Sequence, residues 1–159
     1  MKKLIIIVAL LMVTFGAKAQ RFWNGVEIGG CVHYSNHAGK SNVGIDIIAT
    51  KRVADWSRLR AGGSINGFIP QSGYDRYGKL TVGATVDFLP FYLYAGYGLA
   101  VNPSAKKHTL GMAFEGAIGL EVSVAKRWNL ITELEIDRIN SGKAWISTPS
   151  VKVGTMFAL

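Results

Sequence analysis

The stretch Lys79–Phe88, KLTVGATVDF, decides the fold. Leu80, Val82, Ala84, Val86 and Phe88 alternate with Lys79, Thr81, Gly83, Thr85 and Asp87. Successive side chains of an extended chain point to opposite faces, so this period of two predicts a strand with one apolar and one polar face. Both neighbouring stretches repeat the pattern. Leu59, Ala61 and Ile65 oppose Arg58, Arg60, Ser64 and Asn66, and Leu93, Ala95, Tyr97 and Leu99 oppose Tyr92, Tyr94, Gly96 and Gly98.

Reading outward, five more segments alternate. The first, Trp23 to Tyr34, sets Val26, Ile28, Val32 and Tyr34 against Glu27, Gly29, Cys31 and His33. The second sets Val43, Ile45, Ile47 and Ala49 against Gly44, Asp46 and Thr50. The sixth sets Met112, Phe114, Ile118, Leu120 and Val122 against Gly111, Glu115, Gly119 and Glu121, and the seventh sets Leu130, Leu134 and Ile136 against Glu133, Glu135 and Asp137. The eighth sets Val151, Val153, Thr155, Phe157 and Leu159 against Lys152, Gly154 and Met156. No stretch of ten residues beyond Gln20 carries helical periodicity. Turns after segments two, four and six are tight (52–57, 89–90, 125–128). Those after segments one, three, five and seven are longer (35–42, 70–77, 102–109, 140–148) and rich in Gly, Ser, Asn, Pro and Lys. An even-stranded up-and-down meander of one domain follows, with both termini and the tight turns at one end.

The 159 residues include 18 Lys plus Arg against 10 Asp plus Glu, a formal charge of +8. The first twenty residues alter what that charge means. Lys2 and Lys3 precede the apolar run Leu4 to Val13, and Ala17-Lys18-Ala19 supplies a small-x-small cleavage pattern. This predicts a cleaved signal peptide over 1–19, since a spanning helix needs about 20 apolar residues. Removing Lys2, Lys3 and Lys18 takes the charge from +8 to +5. The chain is then exported, and nucleic acid is not an expected partner. A single cysteine, Cys31, excludes an internal disulfide framework and a Cys-based zinc site.

Alternation does not say which face is inside. Three features favour a transmembrane barrel with its apolar face outward over a soluble, lipocalin-like periplasmic barrel. The apolar faces carry one ionisable residue, Arg138. The polar faces hold eight of the ten carboxylates, Glu27, Asp46, Asp87, Glu115, Glu121, Glu133, Glu135 and Asp137. Arg58, Arg60, Lys79 and Lys152 share those faces among small residues. Charges in a field of glycines suit a narrow lumen held by salt bridges. Finally, Phe22, Trp23, Trp56, Phe88, Phe91, Trp128 and Phe157 fall at the tight-turn end, while Tyr34, Phe68, Tyr97, Phe114 and Trp145 fall towards the long loops. Two aromatic girdles are what a membrane barrel requires.

Signal peptide, strand alternation, girdles and strand-like C-terminus together resemble the small eight-stranded outer-membrane β-barrels of Gram-negative bacteria, the OmpX/OmpA-barrel type. The resemblance covers nearly all of the chain beyond residue 19. It implies an all-β, eight-stranded antiparallel up-and-down transmembrane β-barrel in the bacterial outer membrane. The implied role is non-enzymatic, structural or interactive at the cell surface. The implied partners are outer-membrane lipid, lipopolysaccharide, the assembly machinery and a surface ligand. Such barrels usually end on an aromatic residue, whereas here Ala158-Leu159 follow Phe157.

One stretch invites an enzymatic reading. His33-Tyr34-Ser35-Asn36 resembles the His-x-Ser-Asn stretch of PagL-type lipid A deacylases, implying His33 as base, Ser35 as nucleophile and Asp46 or Glu27 as orienting acid. It stands on the first strand rather than late in the chain, and its parity points His33 into the lumen. Gly96-Tyr97-Gly98 lacks the third glycine of a dinucleotide fingerprint, having Val101 there. His33, His37 and His108 read as a lumen and loop residues, not metal ligands, so neither metal nor cofactor is expected. Lys40 and Lys106-Lys107-His108 make two loop tips basic and suited to lipopolysaccharide headgroups.

Overall fold

The computed structural model describes residues 25–37, 40–67, 77–102, 109–140 and 145–159. Eight strands follow in chain order: β1 (Val26–His37), β2 (Lys40–Ala54), β3 (Ser57–Asn66), β4 (Tyr77–Phe88), β5 (Phe91–Asn102), β6 (Thr109–Ala125), β7 (Trp128–Asn140) and β8 (Trp145–Ala158). Each pairs antiparallel with its chain neighbours, and β1 closes on β8. The architecture is an up-and-down β-barrel without edges, so every strand's backbone groups can pair within the wall. The signal-peptide expectation over 1–19, and Phe22, Trp23, Phe68, Lys106, Lys107 and His108, lie outside the described residues.

The register fixes the stagger. From Val32, one path of paired residues runs through Ile45, Ile65 and Gly78 to Val101 on β5. The opposite path runs through Val153, Thr132 and Leu120 to Phe91, also on β5. The two paths arrive ten residues apart, 101 against 91. Strands must therefore tilt, and with eight of them the interior is just wide enough for side chains to fill.

Burial is inverted relative to a water-soluble barrel. Leu80 is 69% exposed and Ile47 66%, while Glu133 is 0% and Lys152 1% exposed. Alternation runs with period two along each wall, as in β7, where Leu130, Leu134 and Ile136 face out and Ile131, Glu133, Glu135 and Asp137 face in. The few buried apolar side chains fill gaps: Cys31, Ile48, Ile131 and Met156 form one cluster, and Ala100, Ala113 and Ile139 another.

The strands differ from expectation at their ends. Residues 35–42 and 140–148 were expected as loops, yet β1 runs to His37, β2 starts at Lys40 and β8 starts at Trp145. Their polar composition reflects the lumen rather than a turn, since Ser35, Asn42, Thr148 and Ser150 are buried and inward. The longer β2 also brings Lys51, paired with Leu59, onto the outward parity, so Arg138 is not the sole ionisable residue there. Val26, expected outward, is buried, where β2 and the C-terminal Leu159 both close on the start of β1. The tight turns are two-residue connections at Asp55-Trp56, Leu89-Pro90 and Lys126-Arg127, with register shifts beside the first and third.

Candidate functional site

The lumen is the site the fold builds. All twelve charged residues expected there project inward, and they sort into three tiers. At the tight-turn end, Arg58 Nη2 donates to Asp87 Oδ1 at 2.7 Å, and Nη1 donates to Glu121 Oε2 at 2.7 Å and Glu27 Oε2 at 3.3 Å. Asn129 Nδ2 donates to Glu121 Oε1 at 2.6 Å, and Thr50 Oγ1 donates to Glu27 Oε2 at 3.3 Å. Arg52 reaches over the rim to Asp87 at 3.8 Å.

In the middle tier, the Arg60 guanidinium clasps both oxygens of Glu133, Nη2 donating to Oε2 at 3.0 Å and Nη1 to Oε1. A two-pronged Arg–carboxylate pair fixes both side chains in one plane. The Tyr92 hydroxyl donates to Glu133 Oε1 at 2.5 Å, and Tyr94 stacks beneath Arg60, whose guanidinium carbon lies 4.1 Å from the ring centroid. Gly119 makes room for this arrangement, since an added Cβ would lie 2.1 Å from the Tyr92 ring.

Towards the long loops, two ammonium groups knit the third tier. Lys79 Nζ lies 2.5 Å from Asp137, 2.9 Å from Glu135 and 3.4 Å from Glu115. Lys152 Nζ lies 2.5 Å from Glu135, 3.1 Å from Glu115 and 3.2 Å from Asp46. Glu115 Oε2 also accepts from Thr81 at 2.6 Å. Glu115, Glu135 and Asp137 have the mutual spacing of metal ligands, but the Lys79 ammonium already sits among them. Two clefts beside these tiers enclose about 230 and 170 Å³ of space between side chains, divided so finely that almost none of it admits the centre of a water molecule.

The enzyme-like stretch resolves residue by residue. His33 Nδ1 donates to Asp46 Oδ2 at 2.5 Å, so base and orienting acid do meet. The other ring nitrogen, Nε2, is engaged by the Asn66 side-chain oxygen. Ser35 Oγ is buried and has no hydrogen-bond partner among the described residues. A hydroxyl becomes a nucleophile when a base can take its proton, and here that nitrogen is committed elsewhere. Glu27, the alternative orienting acid, belongs to the tier at the opposite end of the lumen. The charge pattern does not single out the neutral partners Tyr92, Tyr94, Asn66, Asn129, Thr50 and Thr81. Parity already placed each inward, but only the register shows which strand each one reaches.

Of the expected girdle residues that are described, Trp56, Phe88, Phe91, Trp128 and Phe157 are outward and exposed at the tight-turn end, with the Trp128 and Phe157 rings 5.8 Å apart edge to face. Tyr34, Tyr97, Phe114 and Trp145 are also outward and exposed.

No protein-family model matches the chain, and no curated protein sequence matches it. Solved structures do match. Neisserial surface protein A superposes with a TM-score of 0.55 at 12% identity, covering 84% of this chain and 96% of that one. The N-terminal β-barrel domain of Pseudomonas aeruginosa OprF gives 0.52 at 12% identity, covering 84% and 98%. A de novo designed transmembrane β-barrel gives 0.52 at 15% identity, covering 86% and 97%. The chain has the fold of the small outer-membrane β-barrels. It is an eight-stranded antiparallel up-and-down transmembrane β-barrel. A shared fold does not by itself assign an activity.

Proposed function

We propose that this barrel is an integral protein of the bacterial outer membrane, delivered by a cleaved signal peptide over residues 1–19, non-enzymatic, and closed to ions. Its role is structural or interactive, with the long-loop end at the cell surface, where lipid and lipopolysaccharide are its immediate partners. One observation carries the reading: an outward wall of exposed Leu, Ile, Val and aromatic side chains surrounds a lumen of buried, mutually paired charges. In water such a molecule would expose its hydrocarbon and bury its ions, paying for both. In a bilayer the wall meets lipid, and the ions hold the strands together from within. The aromatic residues at both ends serve as interfacial anchors. The neighbouring solved barrels are bacterial outer-membrane and designed membrane proteins, which supports the location.

Detergent-gel mobility and membrane extraction test the reading. Unheated protein is expected to migrate differently from boiled protein and to stay with the membrane after carbonate washing. Recovery in the aqueous fraction would overturn it in favour of a soluble barrel.

A further inference from the structure

The outward wall is not uniform. Across β6, β7 and β8, ending at β1, runs an outward-facing groove of about 500 Å³, within the roughly 300–1,000 Å³ of ligand-binding clefts. Its depth comes from missing bulk. At Gly116 an added Cβ would meet nothing within 4 Å. Ile136 pairs with Gly116 on one side and Pro149 on the other, and a proline ring adds little height and no donor to the ladder. Leu134 and Val151 continue the apolar lining towards the tight-turn end, and Tyr34 borders it on β1.

Arg138 stands at the long-loop end of this groove. It follows Ile136 by two residues on the same outward face, about 7 Å along the strand. Arg138 is exposed and makes no ion pair with a described residue. Its guanidinium carbon lies 5.8 Å from the Trp145 ring centroid, and that ring lies 5.6 Å from Phe114. The eight lumenal carboxylates are on the opposite side of the wall. A guanidinium beside lipid with no carboxylate partner among the described residues calls for an anion, and its planar fork matches a phosphate with two hydrogen bonds. The groove below it calls for hydrocarbon.

We propose that the groove and Arg138 together hold one lipid A molecule, a phosphate on the guanidinium and an acyl chain along Gly116, Ile136 and Pro149. The inference rests on the membrane reading above, which puts the long-loop end in the leaflet that carries lipopolysaccharide. The phosphate then sits at the depth of the Trp145 and Phe114 rings, where headgroup gives way to chain.

The test is native mass spectrometry of the folded barrel released from phosphatidylcholine nanodiscs doped with lipid A, dephosphorylated lipid A or phosphatidylglycerol. Wild-type protein is expected to retain one lipid A, with retention at least tenfold lower for the dephosphorylated form. Arg138→Gln and Gly116→Leu, which act at opposite ends of the site, are each expected to lower lipid A retention at least fivefold while keeping the heat-dependent gel shift of a folded barrel. Equal retention with and without the phosphates, or by the wild type and both folded variants, overturns the proposal. Equal retention of phosphatidylglycerol overturns the choice of lipid. The dephosphorylated-lipid arm needs no variant to fold. A wild type with no heat shift in nanodiscs overturns the membrane reading, and the groove's occupant with it.

Discussion

Replacing Lys152 by Met asks whether the lumen is dry. Lys152 is 1% exposed, and its ammonium lies 2.5 Å from Glu135, 3.1 Å from Glu115 and 3.2 Å from Asp46. The substitution keeps most of the stem and removes the charge, leaving three buried carboxylates around an apolar tip. Lys79 still reaches Glu135 and Glu115, but among the described residues the side-chain partner left to Asp46 is His33. Removing one partner of a buried ion pair costs about 3–5 kcal/mol, because the abandoned charge remains in a medium of low polarity. A pair bathed in water is worth only about 0–1 kcal/mol. The clefts beside the tiers admit almost no water centre in the wild-type packing, which favours the larger figure. Equilibrium unfolding in urea from lipid vesicles, followed by the fluorescence of Trp56, Trp128 and Trp145, reads the difference. With a slope of roughly 2 kcal/mol per molar urea, the midpoint should fall by about 2 M. Adding Glu135→Gln should give back part of the loss, since the double variant lacks one of the stranded charges. A loss below about 1 kcal/mol for Lys152→Met would refute a dry lumen and require water among the tiers.

Four further outcomes follow from the same geometry. Val82→Arg, at an outward position in the middle of β4, should destabilise the bilayer-embedded barrel by about 2–4 kcal/mol in the same unfolding assay, whereas in a water-soluble barrel an exposed Arg would cost almost nothing. Ser35→Ala should leave lipid A acylation unchanged by mass spectrometry, because His33 Nε2 is held by Asn66; a lost acyl-chain change would restore the hydrolase reading. Planar bilayers containing the protein should show no stable openings, since Arg58, Arg60 and Lys79 reach across the lumen to strands three or four positions away and Lys152 ties β8 to β2 and β6. Gly119→Val should cost about 1–3 kcal/mol by urea unfolding, as its side chain displaces the Tyr92 ring from Glu133.

Much of this molecule could be read from alternation. The parity of Lys79–Phe88 and its sister segments put Arg58, Arg60, Lys79, Lys152 and the eight carboxylates on one face. No other arrangement of a strand could separate them from Leu80, Val82 and Val86. Strand ends were less legible. Ser35, Asn36, Ser41 and Asn42 have turn-forming composition, and only the pairing of Ser35 with Asn42 and Ser150 shows that they belong to the wall. The enzyme-like stretch was also ambiguous in one dimension. His33, Ser35 and Asp46 share a face, but whether His33 serves Ser35 depends on Asn66, a residue 33 positions away brought in by β3.

The sequence by itself determined the two-faced strands, their number and the sorting of charge from hydrocarbon, because side-chain direction in an extended chain follows from position alone. Tertiary structure decided who meets whom. The ten-residue stagger tilts every strand, so Arg60 on β3 reaches Glu133 on β7, Lys79 on β4 reaches Asp137 on β7, and Arg138 comes to stand over a groove opened by Gly116 and Pro149. Those meetings depend on closure and register, which no single strand's pattern contains.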